Sequence, residues 1–85
     1  EDYGQGFYGS QNIGFKEKYE QACNTLGLSY DTDIYEVKLN YRKLAKKYHP
    51  DINKDPGATE MFTKVNDAYE FLTEENIKKY KQNFS

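Results

Sequence analysis

A chain with one histidine, one cysteine, one methionine, two prolines and no tryptophan has few ways to do chemistry alone. One His and one Cys fall short of the ligand set of a structural zinc site. A lone cysteine, Cys23, makes no internal disulfide and carries almost no information about compartment. No apolar run approaches the roughly 18–20 residues of a membrane span. A secretory signal is missing too, since the N-terminus is acidic and rich in Gly and Tyr. The start at Glu1 rather than Met points to an excised fragment or a processed protein, so missing targeting signals say little. The compartment is left open, cytosol or organelle, for a domain read as soluble.

The formal charge of −2 argues against bulk attraction to nucleic acid or membrane. Eighty-five residues allow one small domain with a modest core. Tyrosine is abundant at nine, which suits a small core whose rim carries wet hydroxyls. Four of the six glycines fall in residues 1–14, EDYGQGFYGSQNIG, which show no periodicity and read as a flexible arm.

From Phe15 the chain turns helical, and the fold class is all-α. Phe15, Tyr19, Ala22 and Leu26 share a face, with Cys23 beside them, and Gly27 stands at the stop position. The first helix is therefore expected over 15–26, with Cys23 as a small core residue. Asp33 and Glu36 form a D-x-x-E variant of the capping box before a second helix over 34–48. On a helical wheel its packing face is Val37, Tyr41, Leu44 and Tyr48, within about 60°. The opposite arc carries Lys38, Arg42, Lys43, Lys46 and Lys47. Leu39 is an oddity among those cations, either an idle surface residue or the apolar centre of a contact surface. This phase expects Leu44→Ala to cost about 2–5 kcal/mol.

Pro50 ends that helix, because the residue before a proline is disfavoured in the helical region. The run Asp51-Ile52-Asn53-Lys54-Asp55-Pro56-Gly57 is turn chemistry. Ala58, Met61, Phe62, Val65, Tyr69 and Leu72 then give the stripe of a third helix over 57–72. The two long helices match in length at roughly 22–24 Å and are expected to pack antiparallel. Thr73 caps a short last helix, about 74–82, with Ile77 and Tyr80 facing inward.

Three functions compete for Tyr48-His49-Pro50-Asp51 and the cations before it. An enzyme would use His49 and Asp51 as base and orienter, but the nucleophile would have to be Cys23, which periodicity buries elsewhere. A nucleic-acid binder would use the basic face, but that arc has no Asn, Gln or Ser for base readout. A docking module would use the face to steer an acidic partner and the proline-pinned tip to set its register.

The stretch Tyr41-Arg42-Lys43-Leu44-Ala45-Lys46-Lys47-Tyr48-His49-Pro50-Asp51 resembles the second helix and His-Pro-Asp signature of the J domain, the co-chaperone module of DnaJ-type proteins. Met61 to Leu72 is similar to that family's third helix, and Leu26-Gly27-Leu28 to the turn after its first. The resemblance covers about residues 21–82, and the domain is taken as 15–85. It implies a J-domain-like helical bundle with no cofactor and no catalysis of its own. It also implies one partner, a DnaK-type seventy-kilodalton heat-shock chaperone in its ATP-bound form, whose ATP hydrolysis the domain stimulates as a monomer. His49, Pro50 and Asp51 match the signature; Lys38, Arg42, Lys43, Lys46 and Lys47 occupy the docking face. The alternative is a J-like domain that docks without stimulating.

Three departures stand out. Ala22 and Cys23 replace an aromatic pair expected before Leu26-Gly27. Ile52 follows the signature where many members place a cation. The last segment lacks the usual Lys-Arg pair and following Tyr-Asp, so the fourth helix is expected to be short or rotated.

Overall fold

The computed structural model describes residues 14–84, which form four α-helices: α1 (Phe15–Leu26), α2 (Ile34–Tyr48), α3 (Pro56–Phe71) and α4 (Glu74–Phe84). The expected arm lies outside the described residues except for Gly14, which is the extended N-cap residue of α1 and accepts the Lys18 N–H at 3.1 Å. The bounds of two helices move. α3 runs one residue earlier at both ends, because Pro56 serves as its first-turn residue and Leu72 leaves the helical region at ψ 63°. α4 runs on to Phe84, whose ring packs 5.4 Å from Tyr80 and 6.2 Å from Phe15.

Each helix end has a local cause. Gly27 takes φ 70°, the left-handed region a side chain would disfavour, and its N–H and that of Leu28 reach back to the carbonyls of Asn24 and Cys23. The Asn40 amide of α2 donates to the Leu26 carbonyl at 2.9 Å, so α2 also closes the end of α1. The Asp33 carboxylate accepts the Glu36 N–H at 2.9 Å. The reciprocal half of the expected box differs, since the Glu36 carboxylate takes the hydroxyl of buried Thr32 at 3.0 Å. Thr73 accepts the Asn76 N–H at 3.1 Å and so starts α4.

α3 is the central helix, packed on both α1 and α2. Its pairing with α2 is antiparallel: Tyr41 stacks on Tyr69 with centroids 4.0 Å apart, and His49 meets Phe62 at 5.5 Å, one index rising as the other falls. The Tyr41 hydroxyl also donates to Asn66 Oδ1 at 2.8 Å. Tyr19, Leu26, Val37, Val65 and Leu72 are fully buried at the centre. Ala22 and Cys23 are buried as well, and the aromatic bulk missing from their positions comes from elsewhere on α1. Tyr19 stacks on Tyr80 at 4.0 Å, and Phe15 lies 5.6 Å from Phe71. The Tyr80 hydroxyl donates to Glu20 Oε2 at 2.5 Å, and Lys16 pairs with the same oxygen at 3.1 Å. These two bonds hold the Glu20 carboxyl below its ordinary range.

Leu44 is only partly buried, at the edge of the core, while Val37 is the buried residue of α2. The expected cost of Leu44→Ala therefore falls to about 1–2 kcal/mol. Leu72→Ala, at a fully buried site, is expected to cost about 2–5 kcal/mol. Urea unfolding of the two variants checks the ranking, and an equal loss would show that Leu44 carries more of the core than its burial indicates.

Burial pushes the Cys23 thiol from 9.0 up to about 11. The hydrogen bond to Glu20, with burial, pushes the Tyr80 hydroxyl from 10.0 up to about 12. Both values are raised on folding, so each contribution is complete below the ordinary value and is lost as pH rises through the folded one. The melting temperature is expected to fall between about pH 9 and 12. Cys23→Ala is expected to flatten the early part of that fall, read by thermal melts across the alkaline range.

Candidate functional site

The tip between α2 and α3 is built by one forbidden conformation. Pro50 keeps His49 out of the helix, at φ −60° and ψ 132°. The chain then folds back on His49: its carbonyl accepts the N–H groups of Ile52 at 2.9 Å and Asn53 at 2.8 Å. The Asp51 N–H donates to His49 Nδ1 at 3.1 Å, which makes Nδ1 an acceptor and leaves Nε2 as the ring's donor. The imidazole meets the edge of Phe62 at 68°, so α3 holds the ring from the other side. The His49 side chain is 45% exposed, and the Asp51 side chain, 3.9 Å away, is 87% exposed. A contact so open contributes little to stability. Its carboxylate is free to meet another molecule.

Asn53 joins the two helices. Its amide donates to the Lys47 carbonyl in the last turn of α2 at 3.2 Å, and its Oδ1 accepts the Asp55 N–H before α3 at 3.0 Å. The turn composition marked this segment, but partners six residues back and two ahead were not legible in it. Phe62, assigned to helix packing, also supports the His49 ring.

The basic face runs into this tip. Lys38, Arg42, Lys43, Lys46 and Lys47 are all exposed, and Lys47 lies 5.2 Å from the Tyr48 ring centroid. Lys16–Glu20 is an ion pair within α1 and the His49–Asp51 contact lies at the tip, and neither involves a cation of α2. Glu36, the nearest acid on the helix, is occupied by Thr32. The positive charge is therefore uncompensated by an ion pair within the described chain, and salt largely screens it only beyond about 8 Å at physiological strength.

The structure does not bring Cys23 to His49. Cys23 sits in the core with its thiol pushed up to about 11, while His49 lies at the tip. An open groove of about 540 Å³ between α1 and α3 is lined by Lys18, Thr25, Lys64, Asp67 and Phe71 among others, with neither His nor Cys. Among the described residues no group of His, Cys, Asp and Glu is placed to hold a metal ion. None of their helices is long and apolar enough to cross a membrane.

A pinned acidic-and-imidazole tip continuous with a cationic helix face, on an antiparallel pair closed by two shorter helices, defines a small all-α bundle built around a helical hairpin. Residues 22–81 match the DnaJ domain family, and the chain belongs to it. It is a J domain, a member of a family that is not enzymatic. Among its relatives, a chaperone protein DnaJ 1 of Synechocystis is 56% identical over 54 residues, 64% of this chain and 14% of that protein. A chaperone protein DnaJ of Nostoc punctiforme is 59% identical over 49 residues, 58% of the chain and 13% of the relative. One from Staphylococcus aureus is 55% identical over 51 residues, 60% of the chain and 14% of the relative. The chain thus spans about a seventh of these proteins' length. No solved structure matches at a significant level.

Removing the Asn53 bridge tests the tip's construction. Asn53→Ala is expected to cost about 1–2 kcal/mol and to speed amide exchange at Asp55, leaving the α1–α4 contacts intact. Unchanged exchange there would show that the turn holds itself without the side chain.

Proposed function

We propose that this domain binds a DnaK-type seventy-kilodalton heat-shock chaperone and stimulates its ATP hydrolysis, as the J-domain family implies. The module acts through residues 15–85 as a single copy, without a cofactor and without nucleic acid. The observation that carries the reading is the continuity of the rigid tip with the uncompensated basic face of α2. Lys38, Arg42, Lys43, Lys46 and Lys47 steer an acidic surface of the partner and set its approach. His49, Pro50 and Asp51 then present one donor, one fixed backbone bend and one exposed carboxylate in a geometry that needs no ordering on binding. The hydrolysis belongs to the partner; the domain supplies contacts that favour the hydrolysing conformation.

Single-turnover ATP hydrolysis by such a chaperone tests this. Wild type is expected to accelerate it at least about tenfold, equivalent to about 1.4 kcal/mol off the barrier. His49→Gln is expected to abolish the acceleration while keeping the far-ultraviolet circular dichroism unchanged, because the ring is half-exposed. Binding without acceleration by the wild type would assign the domain to docking alone. An unfolded His49→Gln would make the residue structural.

A further inference from the structure

The exposed side of α2 is not uniformly charged. Tyr35 is 73% exposed and Leu39 is 39% exposed, two of the five large exposed apolar residues of the described chain. They are four residues apart and continue into Arg42 and Lys46, three and seven residues beyond Leu39. On a helical wheel all four fall in one arc about 60° wide, opposite Val37. The stripe is apolar at the start of α2 and cationic towards the tip, over a rise of about 16 Å. Acids, Asp33 and Glu36, flank its apolar end.

We infer that Tyr35 and Leu39 form an apolar extension of the docking face. The surface that receives it would be an acidic patch of the chaperone bordered, about two to three helical turns away, by an apolar patch. This rests on the function proposed above and adds what the cations cannot supply. Charges on a helix face steer a partner and help to set its register, but exposed charges are weakened by salt. An aromatic and an aliphatic side chain at one end fix that register, because their burial is lost if the partner slides by a turn.

The stripe's own charge selects the occupant. A second copy packed parallel on this face would set Arg42 and Lys46 against their like; packed antiparallel about the centre of the stripe, it would set Tyr35 and Leu39 against Lys46 and Arg42, so that neither apolar residue meets an apolar partner. An extended polyanion such as a nucleic acid would meet Asp33 and Glu36 where the stripe is apolar. A protein surface with acidic and apolar parts side by side has neither conflict.

The test is binding of the ATP-bound chaperone at about 50 mM and about 500 mM salt, which separates screened from unscreened contacts. Tyr35→Gln with Leu39→Gln retains good helix formers on α2. This pair is expected to weaken binding about tenfold at both salt concentrations, mainly through faster dissociation, with the salt slope of wild type. Arg42→Glu with Lys46→Glu is expected to flatten that slope. Wild-type binding with a Gln variant within about twofold of it at both salts overturns the inference and leaves the proposed function standing. So does a wild-type dimer, in sedimentation, that the Gln variant dissolves. Wild type that binds at neither salt overturns both.

Discussion

Proline and helix cannot coexist at the junction of residues 49 and 50, and the molecule is arranged around that conflict. α2 stops at Tyr48 because His49 is forced into extended backbone. The halted helix leaves carbonyls without partners, and the tip supplies them from Ile52, Asn53 and the Asn53 side chain. The reversal that follows aims α3 back along α2, where Tyr41 stacks on Tyr69 and bonds Asn66. One steric exclusion thus sets both the end of the helix that bears the cations and the direction of the helix that supports it.

The helices were legible because their apolar residues recur at helical spacing and their ends carry Gly27, Asp33, Pro50 and Thr73. Most of the buried residues follow from the same pattern, Tyr19, Cys23, Leu26, Val37 and Val65 among them. Leu44 shows its limit: a wheel gives direction but not depth, and α3 covers only part of that face. The helix ends held less well where tertiary contact decides. Phe84 extends α4 because Phe15 and Tyr80 are there to receive it, and nothing local announces a pairing across sixty-nine positions. Side-chain bonds between elements were likewise hidden. Asn40 reads as a polar residue near the packing side, and only the fold shows it meeting the last carbonyl of α1. In the candidate site the tripeptide and the cations were visible as residue types. The bond from Asp51 to Nδ1 and the support from Phe62 needed the folded backbone.

The electrostatics divide along the same line as the packing. α1 compensates part of its charge internally, with Glu20 drawing both Lys16 and the Tyr80 hydroxyl of α4. α2 does not, and the mutual repulsion of its cations lowers its own helical stability. Val37, Tyr41 and the start signal at Asp33 offset that strain on the other face. A helix held from behind can keep a charge distribution that it would not tolerate in isolation.

The aromatic cluster has a consequence for where this domain ends. The family match begins at residue 22 and stops at 81. Phe15, Tyr19, Glu20 and Phe84 lie beyond those limits, yet they pack on or bond to Phe71 and Tyr80 inside them. The stretch that matches the family is therefore shorter than the packed helical bundle. A chain cut to the shared part would keep the signature and the basic helix but lose one wall of its own core. Resemblance marks the part of the molecule that carries the signature, and packing marks the part that shares one core; in this chain the two outlines do not coincide.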